Sequence, residues 1–296
     1  MKRNCRQGLL IVSLVLIASI SSCYPDRKWV TPAILEATVT DEQSGALATD
    51  SVKVSPSVAA TPTAFNPDTS WQTVLPGLEW RQMTFIADNN LVELATVVRI
   101  DPSRYQINVE YDPEHPATVH QWAERNSAVL TVNGGFFAPD FTSTGLVISD
   151  GTPYGSSYLG FGGMFAISAS GMPTLQRLES QPYDPADDLT EAVQSFPMLF
   201  SIKGAPVTEG FSDDISRRSV VGLDNQGRVL FINFSHGALD LAALSLYLVQ
   251  SDLQLVSALN LDGGSSSGLV LAHENVRIDL PSLVAIPAVI TVSLRQ

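Results

Sequence analysis

Hydrophobic residues from about residue 71 onward follow the spacing of β-strands more than that of helices. Apolar and polar residues alternate, or apolar residues form short runs, and the runs stop at Gly, Pro, Asn or Asp. Four segments predict single strands: LVELATVVRIDP (91–102), YQINVEYD (105–112), SAVLTVN (127–133) and AIPAVITVSL (285–294). Two more predict hairpins, because a glycine-containing turn divides each of them: GGMFAISASGMPTL (162–175) and SVVGLDNQGRVLFINF (219–234).

Helical spacing occurs in two short segments. TVHQWAERN (118–126) places Val119, Trp122 and Ala123 on one face. ALDLAALSLYLVQ (238–250) predicts the clearest helix, with one face formed by Leu239, Ala242, Ala243, Leu246 and either Val249 or Gln250. SQPYDPADDLTEA (180–192) predicts an acidic surface loop that leads into a helical turn. Together the segments predict a single-domain α+β fold: a mixed, mostly antiparallel β-sheet core with a few covering helices.

The N-terminus has the features of an export signal. Lys2, Arg3 and Arg6 form a positive segment, and residues 8–20 form an uncharged apolar run that is too short for a permanent bilayer-spanning helix. The run ends in ISSC (20–23), which resembles the lipobox of bacterial lipoproteins. Removal of residues 1–22 would leave Cys23 as the lipidated N-terminus. A plain signal peptide and a short membrane anchor are the alternatives. We expect an exported protein, lipid-anchored to the cell membrane or the outer membrane.

Residues 23–70 differ in composition from the rest of the chain. They are rich in Thr, Ala, Ser and Pro, and too poor in large apolar residues to offset the entropy of ordering. They predict a flexible tether, and residues 71–296 predict the folded domain. The only cysteine besides Cys23 is Cys5, which lies in the signal segment. Thiol catalysis and cysteine-based zinc sites are therefore excluded for the mature chain.

The net charge narrows the choice of partners. Removal of residues 1–22 leaves 14 basic and 30 acidic residues, a net charge of −16. Such a surface argues against nucleic acid and against adhesion to anionic lipid headgroups. A basic cluster, Arg217-Arg218-Ser219, precedes one predicted strand, and the planar guanidinium fits phosphate oxygens. The alternative is a solvated arginine pair, or a pair bound to Asp213 and Asp214.

Two loops share one sequence design. In AVLTVNGGFF (128–137) an apolar strand stops at Asn133 and Gly134-Gly135 follows, and in SALNLDGGSS (257–266) the strand stops at Asp262 and Gly263-Gly264 follows. Paired glycines allow a sharp turn, and such turns can align N–H groups toward an anion. Either loop alone could be a turn in which Asn or Asp bonds its own backbone. Because the same design occurs twice, the sequence favours a functional role for the two loops over two ordinary turns.

Two other kinds of chemistry fit the spacing less well. Residues 264–268 match the G-x-S-x-G nucleophile elbow, with Ser266 as the nucleophile, but a strand-like segment follows where that motif requires a helix. The only later histidine, His273, is seven residues past Ser266, and no histidine pair has helical zinc spacing. Acidic side chains could hold Ca²⁺ or Mg²⁺, but the sequence requires no cofactor.

An ordered series of segments resembles the phosphodiester glycosidase family, which includes the lysosomal uncovering enzyme. The series spans nearly all of residues 71–296 and consists of LPGLEWRQM (75–83), VVRIDP (97–102), VNGGFF (132–137), TGLVISDG (144–151), FPMLFSIKGAP (196–206), RRSVVGLDNQGRVL (217–230), LNLDGGSSSGL (259–269) and IPAVITVSL (286–294). By this resemblance the site residues are Asn133, Gly134, Gly135, Arg218, Ser219, Asp262, Gly263, Gly264 and Ser266. The chain has Ser265 where many members have a third glycine, and His236-Gly237 where many have a glycine–arginine pair.

The resemblance implies hydrolysis of a sugar-1-phosphodiester at the anomeric carbon. It implies that Arg218 and the Gly-Gly N–H groups bind phosphate, and that Asp262 acts as base or nucleophile. Asn133 and Ser266 would bond the substrate, and His236 would carry a proton. The alternatives are an envelope module that binds phosphorylated glycans without turnover, and a serine hydrolase that uses Ser266.

Overall fold

The computed structural model describes residues 69–86, 91–200, 203–208, 210–211, 213–274 and 276–295. The predicted signal peptide, Cys23 and nearly all of the predicted tether lie outside these residues. Within them, no helix is both long enough and apolar enough to cross a membrane.

The strands of the described residues form three antiparallel sheets. The first sheet has the order β1-β2-β3-β12-β11-β13. Its strands are β1 (Gln72–Leu75), β2 (Leu78–Ile86), β3 (Val92–Ile100), β11 (Ser216–Asp224), β12 (Val229–Leu239) and β13 (Leu255–Asn260). The β11–β12 hairpin is confirmed, because Leu223 pairs with Val229 around the predicted turn.

The second and third sheets have five strands each, in the orders β7-β6-β10-β8-β9 and β15-β14-β5-β16-β4. The second contains β6 (Val147–Ser149), β7 (Thr152–Tyr154), β8 (Gly163–Ser168), β9 (Pro173–Arg177) and β10 (Leu189–Ser195). The third contains β4 (Tyr105–Tyr111), β5 (Leu130–Asn133), β14 (Leu269–His273), β15 (Val276–Leu280) and β16 (Ala288–Leu294). The β8–β9 hairpin is confirmed, and all four predicted single strands form.

The largest hydrophobic core lies where the three sheets meet. It joins Val98 and Phe231 of the first sheet to Phe165 of the second and to Leu130 and Ile290 of the third. The rings of Phe165 and Phe231 meet edge to face with centroids 6.1 Å apart. The strands of all three sheets meet in this core. Polar residues that follow the ends of strands from different sheets are therefore held near one another.

Two short helices cover outer sheet faces. Helix α1 (Val119–Asn126) begins with a capping box, in which Thr118 and Gln121 satisfy each other's backbone N–H groups, and it packs Trp122 against the third sheet. Helix α2 (Leu241–Gln250) begins at Asp240, whose carboxylate accepts from Ala243 N at 2.8 Å, and it packs Leu244 and Leu248 against the first sheet.

The predicted face of α2 is wrong. Leu246 and Val249 are 43% and 37% exposed, Leu239 belongs to β12, and Ser245 is buried between the flanking leucines. The helix is apolar on almost every side, so its periodicity could not select a face. Its rotation follows from contacts distant in sequence, since Ser245 Oγ donates to Leu199 O and accepts from Val207 N.

Two other predictions need correction. All strand pairs are antiparallel and the described residues hold only two α-helices, so the fold is mainly β rather than α+β or mixed. The segment after the acidic loop is strand β10 and not a helical turn. The charged residue Glu191 made the polar pattern of this segment misleading in the sequence. In the structure its carboxylate is buried and accepts from Val109 N at 2.8 Å. Burial raises the pKa of Glu191 to about 7.

Candidate active site

The two Gly-Gly loops are in direct contact. β5 of the third sheet ends at Asn133, and β13 of the first sheet ends two residues before Asp262. Asp262 N donates to Gly134 O at 3.1 Å, and Asn133 Nδ2 donates to Asp262 O at 2.8 Å. The predicted site residues of both loops therefore converge, although 129 positions separate Asn133 from Asp262.

The Asn133 side chain links three parts of the fold. Its Nδ2 also donates to Gly134 O at 3.2 Å, and its Oδ1 accepts from Ser219 Oγ at 2.6 Å and from Gly268 N at 3.0 Å. Asn133 is 1% exposed, and Ser219 is fully buried and also accepts from Asn233 Nδ2 at 3.1 Å. Hydrogen bonds within the protein occupy both the Nδ2 and the Oδ1 atom of Asn133. Its side chain is therefore placed to hold the two loops together rather than to touch a substrate.

Asp262 has a carboxyl group of altered acidity. Burial raises its pKa to about 6, against the opposing effect of hydrogen bonds donated by the Ser266 hydroxyl and the Gly263 N–H. The group is mostly ionised at neutral pH, yet close enough to its pKa to exchange a proton. Both properties suit a general base or a nucleophile.

Arg218 lies beside the second glycine loop. Its side chain is 9% exposed, and Nη2 donates to Asp214 O at 2.5 Å, while Nε is buried without an acceptor in the described part of the chain. A Cβ placed on Gly263 would lie 3.6 Å from Arg218 Nη1 and 3.1 Å from Arg217 O. Burial lowers the pKa of Arg218, against the effect of Asp240 and Asp214, but an arginine stays charged. A buried cation with a donor that has no acceptor in the described residues has the chemistry to bind an anion.

The glycines serve different purposes in the two loops. A Cβ on Gly135 would lie 2.4 Å from Gln194 O, so the first loop needs glycine because β10 passes close to it. Of the four glycines in the two loops (Gly134, Gly135, Gly263 and Gly264), only Gly264 has a positive φ, at +60°. Gly134 N donates to Ala288 O at 3.0 Å, so this N–H is occupied by the third sheet and is not directed at a ligand.

His236 stands apart from this cluster. Its ring is exposed with Nδ1 3.0 Å from Val92 O, and its backbone N donates to the buried carboxylate of Glu93 at 2.8 Å. None of the described contacts of His236 reaches Asp262 or Arg218. The neighbouring Gly237 approaches Arg217, since a Cβ there would lie 3.1 Å from Arg217 N.

The geometry does not support a serine nucleophile. Ser266 donates its hydroxyl to Asp262, and the one turn of 3-10 helix that contains it (Gly264–Ser266) leads into strand β14 rather than a helix. The four histidines have other contacts: His115 with Asp112, His120 with Asp279, His236 with Val92 and His273 with Glu274. In the residues described, no group of three or more His, Cys, Asp or Glu side chains could hold a metal ion.

Four aromatic residues that contact one another, one of them directly after Gly134-Gly135, were not assigned a role from the sequence. They are Phe136, Tyr158, Phe161 and Phe196. Burial raises the pKa of Tyr158, and the negative charge of Asp262 adds to this effect against the hydrogen bond with Thr144. Phe136 follows Gly134-Gly135 directly and stacks on Phe196, with centroids 4.4 Å apart. The run Phe136-Phe137 was the sequence signal, but it is equally common in a hydrophobic core.

Comparisons with known proteins identify the family and the fold of the chain. A family model described as phosphodiester glycosidase matches residues 126–292, so the resemblance seen in the sequence is confirmed. The catalytic domain of zebrafish N-acetylglucosamine-1-phosphodiester alpha-N-acetylglucosaminidase, auto-inhibited by its pro-peptide, has a similar fold. Its TM-score is 0.58 at 20% identity, over 77% of this chain and 87% of that one. A search of curated proteins found no match.

Two further solved structures share the fold at lower identity. A hypothetical protein from Synechocystis has a TM-score of 0.53 at 16% identity, over 77% of this chain and 64% of that one. A protein from Burkholderia pseudomallei that is thought to be exported has a TM-score of 0.52 at 14% identity, over 70% of this chain and 75% of that one. At such identities the likeness concerns the fold alone.

Proposed function

The chain belongs to the phosphodiester glycosidase family, and we propose that it hydrolyses a sugar-1-phosphodiester at the anomeric carbon in the cell envelope. The products are the free sugar and a phosphomonoester. The observation that carries the proposal is that the buried Arg218 guanidinium lies beside Gly263, the residue that follows Asp262, whose pKa burial raises to about 6. A carboxylate and an anion-binding cation are the two groups that this reaction needs at one place.

The phosphate is assigned to Arg218. Its Nε is an unused buried donor, and Gly263 leaves the guanidinium uncovered by any side chain at that position. Arg217 adds a second buried Nε without an acceptor in the described residues. The chain has a net charge of −13, so the two guanidiniums form a local positive region on an otherwise acidic protein. Such a region would attract an anionic substrate. The N–H of Gly134 is not part of the assignment, since it already bonds Ala288.

The bond broken is that between the anomeric carbon and the phosphate oxygen. A phosphomonoester leaves far more readily than an alcohol, so strong general-acid help is not required. Asp262 would either take a proton from the attacking water or attack the anomeric carbon itself, with water then releasing the sugar. Ser266 and the Gly263 N–H orient the carboxylate for this role. Asn133 and Ser219 position the two loops.

Phosphorus NMR tests the proposal directly. The purified full-length protein is given a panel of sugar-1-phosphodiesters that includes an N-acetylglucosamine compound. The expected result is conversion of diester to monoester by the wild-type protein and none by Asp262→Asn. If the folded wild-type protein binds these compounds but converts none, the chain is a module that recognises phosphorylated glycans, and the hydrolase proposal fails.

Two further parts of the proposal can be tested separately, the lipid anchor and the independence from a cofactor. Attachment through a lipid on Cys23 predicts that an alkyne fatty acid labels the wild-type protein and not Cys23→Ser. The reaction needs no cofactor in this scheme, so activity should survive EDTA. Loss of activity in EDTA, restored by Ca²⁺ or Mg²⁺, would instead assign a divalent cation to the site.

A further inference from the structure

The four aromatic residues named above form one continuous surface, here called the aromatic platform (Phe136, Tyr158, Phe161 and Phe196). Two stacked pairs make it up: Phe136 on Phe196 with centroids 4.4 Å apart, and Tyr158 on Phe161 with centroids 4.7 Å apart. The second pair meets Phe196 edge-on, with interplanar angles of 75° for Tyr158 and 69° for Phe161. Each ring contacts at least one other ring of the platform, and these contacts favour one arrangement of the four side chains before any ligand binds.

The platform borders Asp262 through three connections. Phe136 follows Gly134-Gly135, and Gly134 O accepts from Asp262 N. Asn260, two residues before Asp262, donates from Nδ2 to Phe196 O at 2.9 Å. Tyr158 lies within the electrostatic reach of Asp262. The platform is built mainly from the second sheet and its loops, whereas Arg218 reaches the site from the first sheet. Asp262 thus stands at the junction of an apolar surface and a cationic one.

Part of the platform is exposed to solvent. Phe161 is 49% exposed and Phe196 is 38% exposed, and both are large rings of a kind that folding normally covers. A polar group lies at the same surface, because the Tyr158 hydroxyl and Thr144 Oγ1 form a hydrogen bond of 2.7 Å. An apolar face with a polar rim, next to a carboxylate, matches one class of ligand best: a ring with a C–H face and a hydroxyl edge.

We infer that the aromatic platform is the subsite that binds the sugar ring of the substrate, with Phe161 and Phe196 stacked against its C–H face. This inference rests on the proposed function and names where the sugar lies, since the phosphate is assigned to Arg218. With both ends held, the anomeric carbon is brought to Asp262 between them. Binding energy at the platform then also lowers the barrier, because it holds the reacting carbon in place.

The experiment compares Phe161→Ala with two controls. Phe161→Trp keeps an aromatic face. Tyr154→Ala removes a similarly exposed aromatic side chain of β7 (41% against 49% for Phe161) that lies outside the platform and packs on Tyr111. The kcat and KM are measured for the methyl phosphodiesters of N-acetylglucosamine-1-phosphate, glucose-1-phosphate and galactose-1-phosphate. Thermal unfolding checks that each variant is folded. We expect kcat/KM to fall about 5- to 30-fold in Phe161→Ala, and to be unchanged in Tyr154→Ala and largely retained in Phe161→Trp.

A second readout separates this inference from the proposed function. Saturation-transfer NMR with methyl glycosides of the same three sugars reports which ring protons touch the protein, whether or not a diester is hydrolysed. Signals from the C–H face that Phe161→Ala weakens support the platform even if no substrate is turned over. If Phe161→Ala and Phe196→Ala, both folded, leave kcat/KM and the ring-proton signals within twofold of wild type, the sugar does not bind at the platform.

Discussion

Replacing Asp262 with asparagine should abolish turnover and yet stabilise the fold at alkaline pH. Burial raises the pKa of this carboxyl from its ordinary 3.8 to about 6. The folded chain therefore binds the proton more tightly than the unfolded chain does. The resulting stabilisation is fully present below pH 3.8 and is lost as the pH rises through about 6. At pH 8 the ionised carboxylate opposes folding by about 3 kcal/mol, from about 1.4 kcal/mol for each pKa unit.

Asparagine removes the charge and keeps an oxygen that can accept from the Ser266 hydroxyl. We therefore expect Asp262→Asn to be more stable than the wild-type protein at pH 8 by about 2 to 3 kcal/mol, equivalent to roughly 5 to 10 °C in Tm. The difference should shrink through pH 6 and vanish near pH 4, where the wild-type carboxyl is also largely neutral. Thermal and urea unfolding of the full-length proteins at pH 4, 6 and 8 measure it, and phosphorus NMR measures turnover.

Asp188→Asn is the matched control, because Asp188 is an exposed carboxylate in the loop before β10. It should change neither turnover nor the pH dependence of stability. Retained turnover in Asp262→Asn would remove Asp262 from the mechanism. A stability difference that is the same at pH 4 and pH 8 would refute the reasoning from burial, since the effect of a buried charge must follow its ionisation.

Three further predictions concern the same site. The wild-type kcat/KM should fall about tenfold per pH unit below pH 6, because Asp262 must be ionised to act, and a flat profile from pH 4.5 to 7.5 would contradict this. Arg218→Lys should lower kcat/KM by roughly 10²-fold or more, since an ammonium group cannot replace the planar guanidinium. An unchanged kcat/KM in steady-state kinetics would refute the assignment of the phosphate to Arg218. Asn133→Ala should lower the free energy of unfolding by about 3 kcal/mol or more, because it leaves Ser219 and Gly268 N without their shared acceptor. Urea unfolding measures this change, and a loss under about 1 kcal/mol would contradict the linking role of Asn133.

Local chemistry made much of the fold predictable. The hairpins around 171–173 and 224–227 were identified because turn residues and alternation act over a few neighbours, and both form as expected. The same holds for α1, where the Thr118 cap begins the helix that the apolar spacing predicts. The recurrence of strand, polar residue and two glycines also identified Asn133 and Asp262 as a pair, because each marks the point at which a buried strand emerges from the core.

What the sequence alone determined is thus many of the strands, the two hairpin turns and the polar residues that follow the strands of the Gly-Gly loops. The tertiary structure decided which face α2 buries, since hydrogen bonds to Ser245 from distant segments set its rotation. It also decided that Asn133 holds the loops together while Asp262 carries the altered pKa, and that Phe161 and Phe196 form one aromatic surface with Phe136 and Tyr158. The distant hydrogen-bond partners of Ser245 and Asn133 lie from 38 to 135 positions away in the sequence, and a pattern of neighbouring residues contains no information on such contacts.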